Sequence, residues 1–386
     1  MKVSVYHQVG HNAAWNVDSF EKDNCGDGLI LSPVHQGPAT IEKLSEKTLG
    51  VSIFDPQFYV PSSQKPKLLQ YDFFPGSMDE GGFETTTFES SVKDSAKKCI
   101  DFQRSMGFRR IAVPTRYIDQ MYSNYIDRQR AFCVDAFMDV VDENEEVCLI
   151  LAVTDAMIQD EGFRTKLLTW ITSYSNVHEL LLNCSVPRDT KQIHNSDFLV
   201  ACHRLGGEMQ SIGLDLTWGH QNTEALLATA QGRVGISIGS FENTRIFSTD
   251  KFIVTDEDRR GPKARVYLKG LLNWIQFEQA KEIRKAFPAL WDKIYEATPY
   301  AEAAFSQALE PTFNQSPLYR HYFTNMFDEA GEISTLSMPE RKIYLRDRIE
   351  FAQASYAEIA RRFSLNGTAK EPIWHPGLRQ WTYSSP

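Results

Sequence analysis

Eight short apolar runs, separated mostly by helical patterns, constrain the fold of this chain more than any other feature. The runs cover residues 2–7, 28–34, 50–54, 110–114, 147–153, 177–183, 211–215 and 234–238. Near-continuous apolar strands that alternate with helices are typical of a parallel sheet covered on both faces. Eight strands favour closure into an α/β fold of the (β/α)8 TIM type, although a doubly wound open sheet shows the same alternation.

The segments between the runs carry most of the helical periodicity. Helices are predicted over residues 40–48, 89–106, 118–141, 163–174, 196–205 and 222–230. Residues 57–88 differ, because they are rich in Pro, Ser, Gly and aromatic side chains and have no helical period. Loops of this length are usually functional. We interpret this segment as a lid or substrate-contacting loop over the barrel mouth.

The pattern changes after residue 252, where no further strand-like run follows. Helices are predicted over residues 265–287, 290–296, 300–309, 317–329 and 339–362. Ser337 and Pro339 match an N-cap and a first-turn proline for the last helix. We therefore predict a (β/α)8 barrel over residues 1–252 and an all-helical C-terminal extension over residues 253–386.

Charge and composition exclude some classes of function. The 386-residue chain has a net charge of −9, which argues against a broadly basic surface for nucleic acid. A basic cluster remains between Arg259 and Lys269. It is either a solvated junction or, with the C-terminal helices, a local contact for nucleic acid or a protein partner.

The six cysteines are widely spaced, which indicates free thiols in a reducing compartment. No apolar run approaches a membrane span, so we expect a cytoplasmic protein without a membrane partner.

Several familiar catalytic motifs are missing from the sequence. No lysine directly ends a predicted barrel strand, which disfavours Schiff-base aldolase chemistry. Neither a His-x-His at the first strand nor a His-Glu-x-x-His helix is present, and no Gly-x-Gly-x-x-Gly follows a strand. We therefore predict no metal and no cofactor, and a small-molecule or nucleotide ligand.

The residues that follow the strands are the candidate site, since barrel active sites lie at the C-terminal strand ends. Asp55, Asp215, His35 and His220 are the candidate catalytic residues. The candidate substrate-binding residues are Gln57, Tyr59, Arg116, Asn183, Trp218, Gly239, Ser240, Glu242 and Arg245. Each polar residue among them has an alternative interpretation as a helix cap, a loop residue or a bystander.

The two aspartates carry the main chemical hypothesis. Asp55 precedes Pro56, which forces an extended backbone, and the helix after Asp215 starts too late for Asp215 to cap it. Two carboxylates in one mouth can act as nucleophile and acid or base in glycosyl transfer. The alternative is a solvated or salt-bridged pair, with Arg116 as a partner.

The turn after the eighth strand is a second candidate subsite. Gly239 and Ser240 precede a short predicted helix, where barrels often bind phosphate, and Arg245 could add a bidentate contact. An ordinary strand-to-helix turn explains the same residues. Aromatic side chains such as Trp218 and Tyr59 would offer stacking faces for a base or sugar, unless they form the core of the loops.

Ile-Phe-Asp55-Pro and Gly-Leu-Asp215-Leu, together with the aromatic residues, make the predicted barrel resemble that of the tRNA-guanine transglycosylases. The resemblance implies that Asp215 attacks the ribose anomeric carbon and that Asp55 recognises the base. The chain lacks the cysteine-rich zinc site of that family and its strongly basic surface, which favours a smaller nucleotide-type ligand.

The first hypothesis is therefore a metal-independent glycosyl- or ribosyl-transfer enzyme that acts on a nucleotide-type or phosphosugar ligand. The second is a lyase or isomerase for a phosphorylated small molecule, with His35 or His220 as the base. The third is a non-catalytic barrel that serves as a scaffold or binding subunit.

Overall fold

The computed structural model describes residues 2–77, 84–187, 192–193, 195–255, 261, 263–309 and 311–365. Eight parallel strands form its centre, in the order β3-β2-β1-β8-β7-β6-β5-β4. The strands are β1 (Val3–Gln8), β2 (Gly28–Leu31), β3 (Ile53–Phe54), β4 (Ile111–Val113), β5 (Val147–Thr154), β6 (Val177–Ser185), β7 (Asp215–Trp218) and β8 (Val234–Gly239). They form a nearly closed barrel, which confirms the predicted (β/α)8 fold.

Helices surround the barrel and form most of the C-terminal region. They are α1 (Ala13–Asp23), α2 (Pro38–Ile41), α3 (Glu46–Leu49), α4 (Thr85–Met106), α5 (Tyr125–Gln129), α6 (Asp135–Met138), α7 (Asp155–Gln159), α8 (Glu161–Ile171), α9 (Ser196–Ser211), α10 (Ala225–Ala228), α11 (Glu242–Arg245), α12 (Phe277–Ala286), α13 (Pro288–Ile294), α14 (Pro299–Phe305), α15 (Ser316–Ser334) and α16 (Met338–Ala360). In the part of the chain that the structure describes, no helix combines the length and apolar character needed to cross a membrane.

Burial on both faces explains why the strands read as continuous apolar runs. In β5, every residue from Val147 to Val153 is buried, as expected for a parallel sheet between helices and a filled interior. Side chains alternate along each strand, so Glu179, Leu181 and Asn183 of β6 share one face. Leu181 is fully buried between its two polar neighbours on that face. The face therefore has an apolar centre and a polar residue towards each end.

The prediction for the seventh strand is wrong in its position. Residue 211 still belongs to α9, the left-handed Gly213 (φ 78°) ends the turn, and β7 begins at Asp215. The apolar periodicity of α9 continues through Met209, and the strand uses the next buried residues, Leu216 and Trp218. Asp215 therefore opens the strand instead of ending it, at the opposite end of the barrel from the predicted mouth.

Asp215 belongs to an ionic network at the N-terminal end of the barrel. Its Oδ2 accepts hydrogen bonds from Arg110 Nη2 at 3.0 Å and from Arg233 Nη2 at 2.8 Å. Arg110 precedes β4 and also donates from Nη1 to Glu179 Oε2 at 2.6 Å. Glu179 Oε1 in turn accepts from the Thr217 hydroxyl at 2.6 Å. These contacts join the beginnings of four strands and give Asp215 a structural role.

The C-terminal region is mainly helical, as predicted, but it is not all-helical. Residues 265–276 form an antiparallel hairpin of β9 (Arg265–Leu268) and β10 (Asn273–Gln276) at the position predicted as the start of a helix. Successive residues of β9 are buried on both of its faces, so the run lacks the alternation typical of a strand. The predicted N-cap Ser337 and first-turn Pro339 of α16 are confirmed, and Glu340 forms a capping box with Ser337.

The C-terminal helices pack directly against the beginning of the barrel. In α15, Arg320 Nε donates to Asp23 of α1 at 2.8 Å, and Tyr319 stacks on Trp15 with ring centroids 5.1 Å apart. The amide of Val3 donates to Ser334 Oγ at 3.0 Å. The barrel and its extension therefore share one buried contact surface.

We expect Arg110→Ala to lower the free energy of unfolding by about 3 kcal/mol, because it leaves the buried Glu179 carboxylate without its cation. Arg109→Ala is a matched control, since Arg109 is 66% exposed and lies 3.6 Å from Glu146. It should cost less than about 0.5 kcal/mol. Urea unfolding of both variants measures the difference. Equal losses would contradict the structural role of the network.

Candidate functional site

A buried aspartate lies at the centre of the C-terminal mouth. Asp55 directly follows β3 and is only 1% exposed. The Tyr59 hydroxyl lies 3.0 Å from Asp55 Oδ1 and 2.9 Å from Oδ2, to which it donates. The same hydroxyl accepts from Asn183 Nδ2 of β6 at 2.7 Å. The chain Asn183–Tyr59–Asp55 therefore crosses the mouth from β6 to β3.

The backbone after Asp55 is held in an unusual conformation. Gln57 has a φ of 59°, in the left-handed region that non-glycine residues rarely adopt. Its amide N–H donates to Asp55 Oδ1 at 3.1 Å, and its side-chain Oε1 accepts from the Val34 amide at 2.9 Å. Strain of this kind persists only where the surroundings enforce it, and it concentrates at functional sites.

A lysine enters the mouth from the segment after β8. Lys251 lies in a 3₁₀ turn (Thr249–Phe252), and its Nζ is 2.8 Å from Nε2 of His220. The Lys251 Nζ lies 5.3 Å from the ring centroids of both Phe247 and Phe252. Phe247 also packs edge-to-face on Tyr59 at 5.1 Å. The segment thus places an amine beside Tyr59 and the Asp55 carboxyl group.

His220 is fixed from two sides. Its φ of 52° is also left-handed, and its Nδ1 lies 3.1 Å from the Thr244 carbonyl oxygen. Because a carbonyl only accepts, Nδ1 carries the hydrogen and Nε2 presents a lone pair towards Lys251. The preceding Gly219 has no room for a side chain, since a Cβ would lie 2.0 Å from Asn183 Oδ1. This close approach brings the loop after β7 against β6.

Burial shifts the pKa values of the two charged groups towards each other. Desolvation raises the pKa of Asp55 above its usual value, and the positive charge of Lys251 and the Tyr59 hydrogen bonds oppose this shift. Desolvation lowers the pKa of Lys251 well below that of an exposed lysine, against the attraction of Asp55. Near neutral pH, the mouth therefore holds a poorly hydrated carboxylate and an amine that loses its proton easily.

The rim of the mouth is positively charged although the whole chain is acidic. Burial, followed by repulsion from Lys251, lowers the pKa of His35 to about 3, so His35 is neutral. Lys67 Nζ donates to the His35 carbonyl at 2.5 Å. Across the rim, the half-buried Arg116 lies 5.3 Å from the Phe132 ring centroid, and its Nε has no hydrogen-bond partner. Within the described residues, no carboxylate pairs with Arg116, so the alternative interpretation of a salt bridge between Arg116 and the aspartates is wrong.

Several predicted site residues lie away from Asp55. Trp218 faces α9 and lines a cavity of about 20 Å³, which is large enough for a water molecule but not for a base. Arg245 lies over the Trp274 ring of the C-terminal hairpin, 4.4 Å from its centroid. Glu242 accepts from Arg265 Nη1 of the same hairpin at 2.7 Å. These side chains connect the barrel to its extension.

The glycine–serine turn after β8 is tightly packed. A Cβ on Gly239 would lie 2.2 Å from the Thr244 hydroxyl, so the backbone approaches Thr244 closely. Ser240 is fully buried, and its hydroxyl has no hydrogen-bond partner. The helix that follows is only four residues long, and its Arg245 is directed elsewhere. The predicted phosphate subsite at this turn therefore stays a prediction, and Arg245 lies over Trp274 instead of adding the bidentate contact to it.

The described part of the basic cluster is paired with carboxylates. Arg265 pairs with Glu242, and Lys269 Nζ lies 3.2 Å from Glu332. Lys263 Nζ lies 3.6 Å from Glu278 at an exposed position. The remaining members, residues 259 and 260, lie outside the described residues.

The described part of the long segment after β3 is mostly core rather than a free lid. Phe58, Tyr71 and Phe73 are buried, and Tyr71 and Phe73 pack against Phe54 with ring centroids 6.1 Å apart in each pair. Gln57 and Tyr59 of this segment both form hydrogen bonds with Asp55. The segment therefore supports the mouth from the side, while residues 78–83 lie outside the described residues.

Comparison with known proteins adds no family name to this geometry. The chain matches no family model and is not significantly similar to any curated protein sequence. Among the described residues, no group of three or more His, Cys, Asp or Glu side chains is arranged to hold a metal ion.

We expect Asp55→Asn to stabilise the protein increasingly as the pH rises. A carboxyl group whose pKa is raised in the folded state costs stability when the pH rises through that raised value. Between about pH 4 and pH 7.5, the advantage of Asp55→Asn should grow by on the order of 1–2 kcal/mol. Urea unfolding at both pH values measures it. The exposed Asp250→Asn variant is the control, and a pH-independent difference for Asp55→Asn would contradict the desolvation of Asp55.

Proposed function

We propose that the mouth is the active site of a metal-independent glycosyl- or ribosyl-transfer enzyme that acts on a nucleotide-type or phosphosugar ligand. The observation that carries the proposal is the burial of Asp55 under Tyr59. A desolvated carboxylate stabilises an oxocarbenium-like carbon, or attacks it, more strongly than a hydrated one does.

In this proposal Asp55 alone is the catalytic carboxylate, whereas the sequence interpretation assigned the nucleophile and the acid or base to Asp55 and Asp215 together. Asp215 is engaged with Arg110 and Arg233 at the other end of the barrel and contributes no charge to the mouth. The Tyr59 hydroxyl holds both oxygens of Asp55 and fixes the carboxylate plane. In this proposal Asp55 faces the anomeric carbon and Tyr59 orients it.

Unpaired buried polar atoms support a ligand with both donors and acceptors. Asn183 Oδ1 and the Ser240 hydroxyl oxygen lack partners, as does the Gln57 side-chain nitrogen. Buried polar groups are normally paired, so each of these atoms has a hydrogen bond left to give or accept. The edge of a nucleobase, or the hydroxyl groups of a sugar, offers complementary partners.

The charge of the rim supports an anionic ligand. Arg116 has no carboxylate partner among the described residues, and a guanidinium binds phosphate through paired hydrogen bonds. Lys67 and Lys251 add positive charge on the side of the mouth next to His35. A phosphate group on the ligand would be attracted to this rim on a protein that is otherwise acidic.

The resemblance to tRNA-guanine transglycosylase barrels agrees with this proposal at the level of layout and of the Ile-Phe-Asp55-Pro stretch.

A lyase or isomerase remains the second candidate, and the contact of Lys251 with His220 favours it. A non-catalytic scaffold would leave the buried carboxylate and amine unexplained.

The proposal is tested by incubating the protein with a panel of 5′-mononucleotides and phosphosugars and measuring base release or base exchange by mass spectrometry. Wild-type protein should release or exchange the base of at least one ligand. Asp55→Asn should slow that reaction by about 100-fold or more while ligand binding is retained.

Asp250→Asn is the matched control, because Asp250 is exposed on the same turn as Lys251, and its rate should equal that of the wild type. Base release at the wild-type rate by Asp55→Asn would contradict the proposal. Asp215→Asn should change stability more than chemistry, which separates the two aspartates.

A further inference from the structure

Lys251 has the surroundings of a reactive amine rather than those of a structural cation. Within the described residues, its Nζ is in no ion pair with a carboxylate, and its closest polar contact is the 2.8 Å approach to His220 Nε2. The rings of Phe247 and Phe252 flank it. A lysine becomes a nucleophile when an apolar, poorly hydrated site favours its neutral form and a neighbouring base can take its proton.

We propose that Lys251 Nζ condenses with the carbonyl carbon of an anionic aldehyde or ketone in the mouth and forms an imine, with His220 as the general base and acid. This activity goes beyond glycosyl transfer, because the nucleophile is an amine and the electrophile is a carbonyl group. It does not depend on the proposed function.

His220 is arranged to take a proton from Lys251. The Thr244 carbonyl fixes the Nδ1–H tautomer, so Nε2 accepts from the ammonium group at 2.8 Å. The left-handed backbone at residue 220 holds the ring in this position. Removal of the proton from Lys251 is also supported by the burial that lowers its pKa.

The reaction balances without an oxidant or a reductant. His220 Nε2 takes one ammonium proton, and the Lys251 nitrogen attacks the carbonyl carbon while the C=O π electrons move to oxygen. A second nitrogen proton moves to that oxygen and gives a carbinolamine. The imidazolium then returns its proton to the oxygen, which leaves as water while the nitrogen lone pair forms the C=N bond.

The surroundings define the class of carbonyl compound. Asp55 is the carboxyl group that interacts electrostatically with Lys251. On the rim, Lys67 and Arg116 are cations, and the neutral His35 can donate a hydrogen bond. A phosphorylated aldehyde or ketone, such as an open-chain phosphosugar, places its anion on the rim and its carbonyl at Lys251.

The test treats the full chain at neutral pH with glyceraldehyde 3-phosphate and sodium cyanoborohydride, which reduces imines to stable amines. Peptide mass spectrometry then measures the occupancy of each lysine. Lys251 should be labelled about tenfold or more faster than the exposed Lys93 and Lys97 of α4, because far more of it is neutral. Equal labelling of the three lysines would overturn the proposal.

Three variants test the roles of Lys251 and His220 separately. Lys251→Met should lose the fast label, and Lys97→Met, the matched control, should keep it. His220→Asn should lower the pH of half-maximal labelling, since a hydrogen bond that stabilises the ammonium form is gone, and should slow labelling on the high-pH plateau about tenfold, since no imidazole relays the proton. A fast label that persists in Lys251→Met, or an unchanged pH profile in His220→Asn, would contradict the corresponding role. If Lys251→Met does not fold, the comparison of lysines in the wild type decides alone.

Discussion

The desolvation of opposite charges in one barrel mouth is the constraint on which the rest of the site depends. The positive charge of Lys251 and the Tyr59 hydroxyl both stabilise the charged form of Asp55 against the desolvation that raises its pKa. Lys251, in turn, is held by His220 and by aromatic rings from its own turn. The strained backbones at Gln57 and His220 are the local cost of bringing these groups together.

The two ends of the barrel use charge in different ways. At the N-terminal end, Arg110 satisfies Glu179 and Asp215 with hydrogen bonds of 2.6 and 3.0 Å, so the charges there are neutralised and the strands are tied together. At the mouth, the polar atoms are only partly satisfied. Complete pairing is typical of a structural network, and incomplete pairing leaves groups available for a ligand.

The strand pattern predicted the barrel well because buried parallel strands need continuous apolar runs. It also placed Asp55 correctly at the end of its strand, since Pro56 forces an extended backbone there. Asp215 was misplaced because the alternating Ile212 and Leu214 resemble a strand, although they lie in the turn between α9 and β7. The hairpin at 265–276 was missed because β9 is buried on both faces.

Lys251 was missed for another reason. The sequence interpretation considered residues directly after each strand, and Lys251 lies twelve residues after the end of β8. Only the folded path of that segment, with Phe252 accepting from Ser63 at 2.6 Å, brings the lysine back over the mouth. The one available signal was a lysine next to Phe252 in an aromatic segment after the last strand, and such a signal is not specific.

The most direct test of this arrangement is an NMR titration of Lys251, measured in the wild type and in Asp55→Asn. The wild-type pKa of Lys251 should lie well below those of the exposed lysines, and loss of the Asp55 carboxylate should lower it further. A Lys251 that titrates with the exposed lysines, or whose pKa does not change in Asp55→Asn, would contradict the pairing of a buried amine and a buried carboxylate in the mouth.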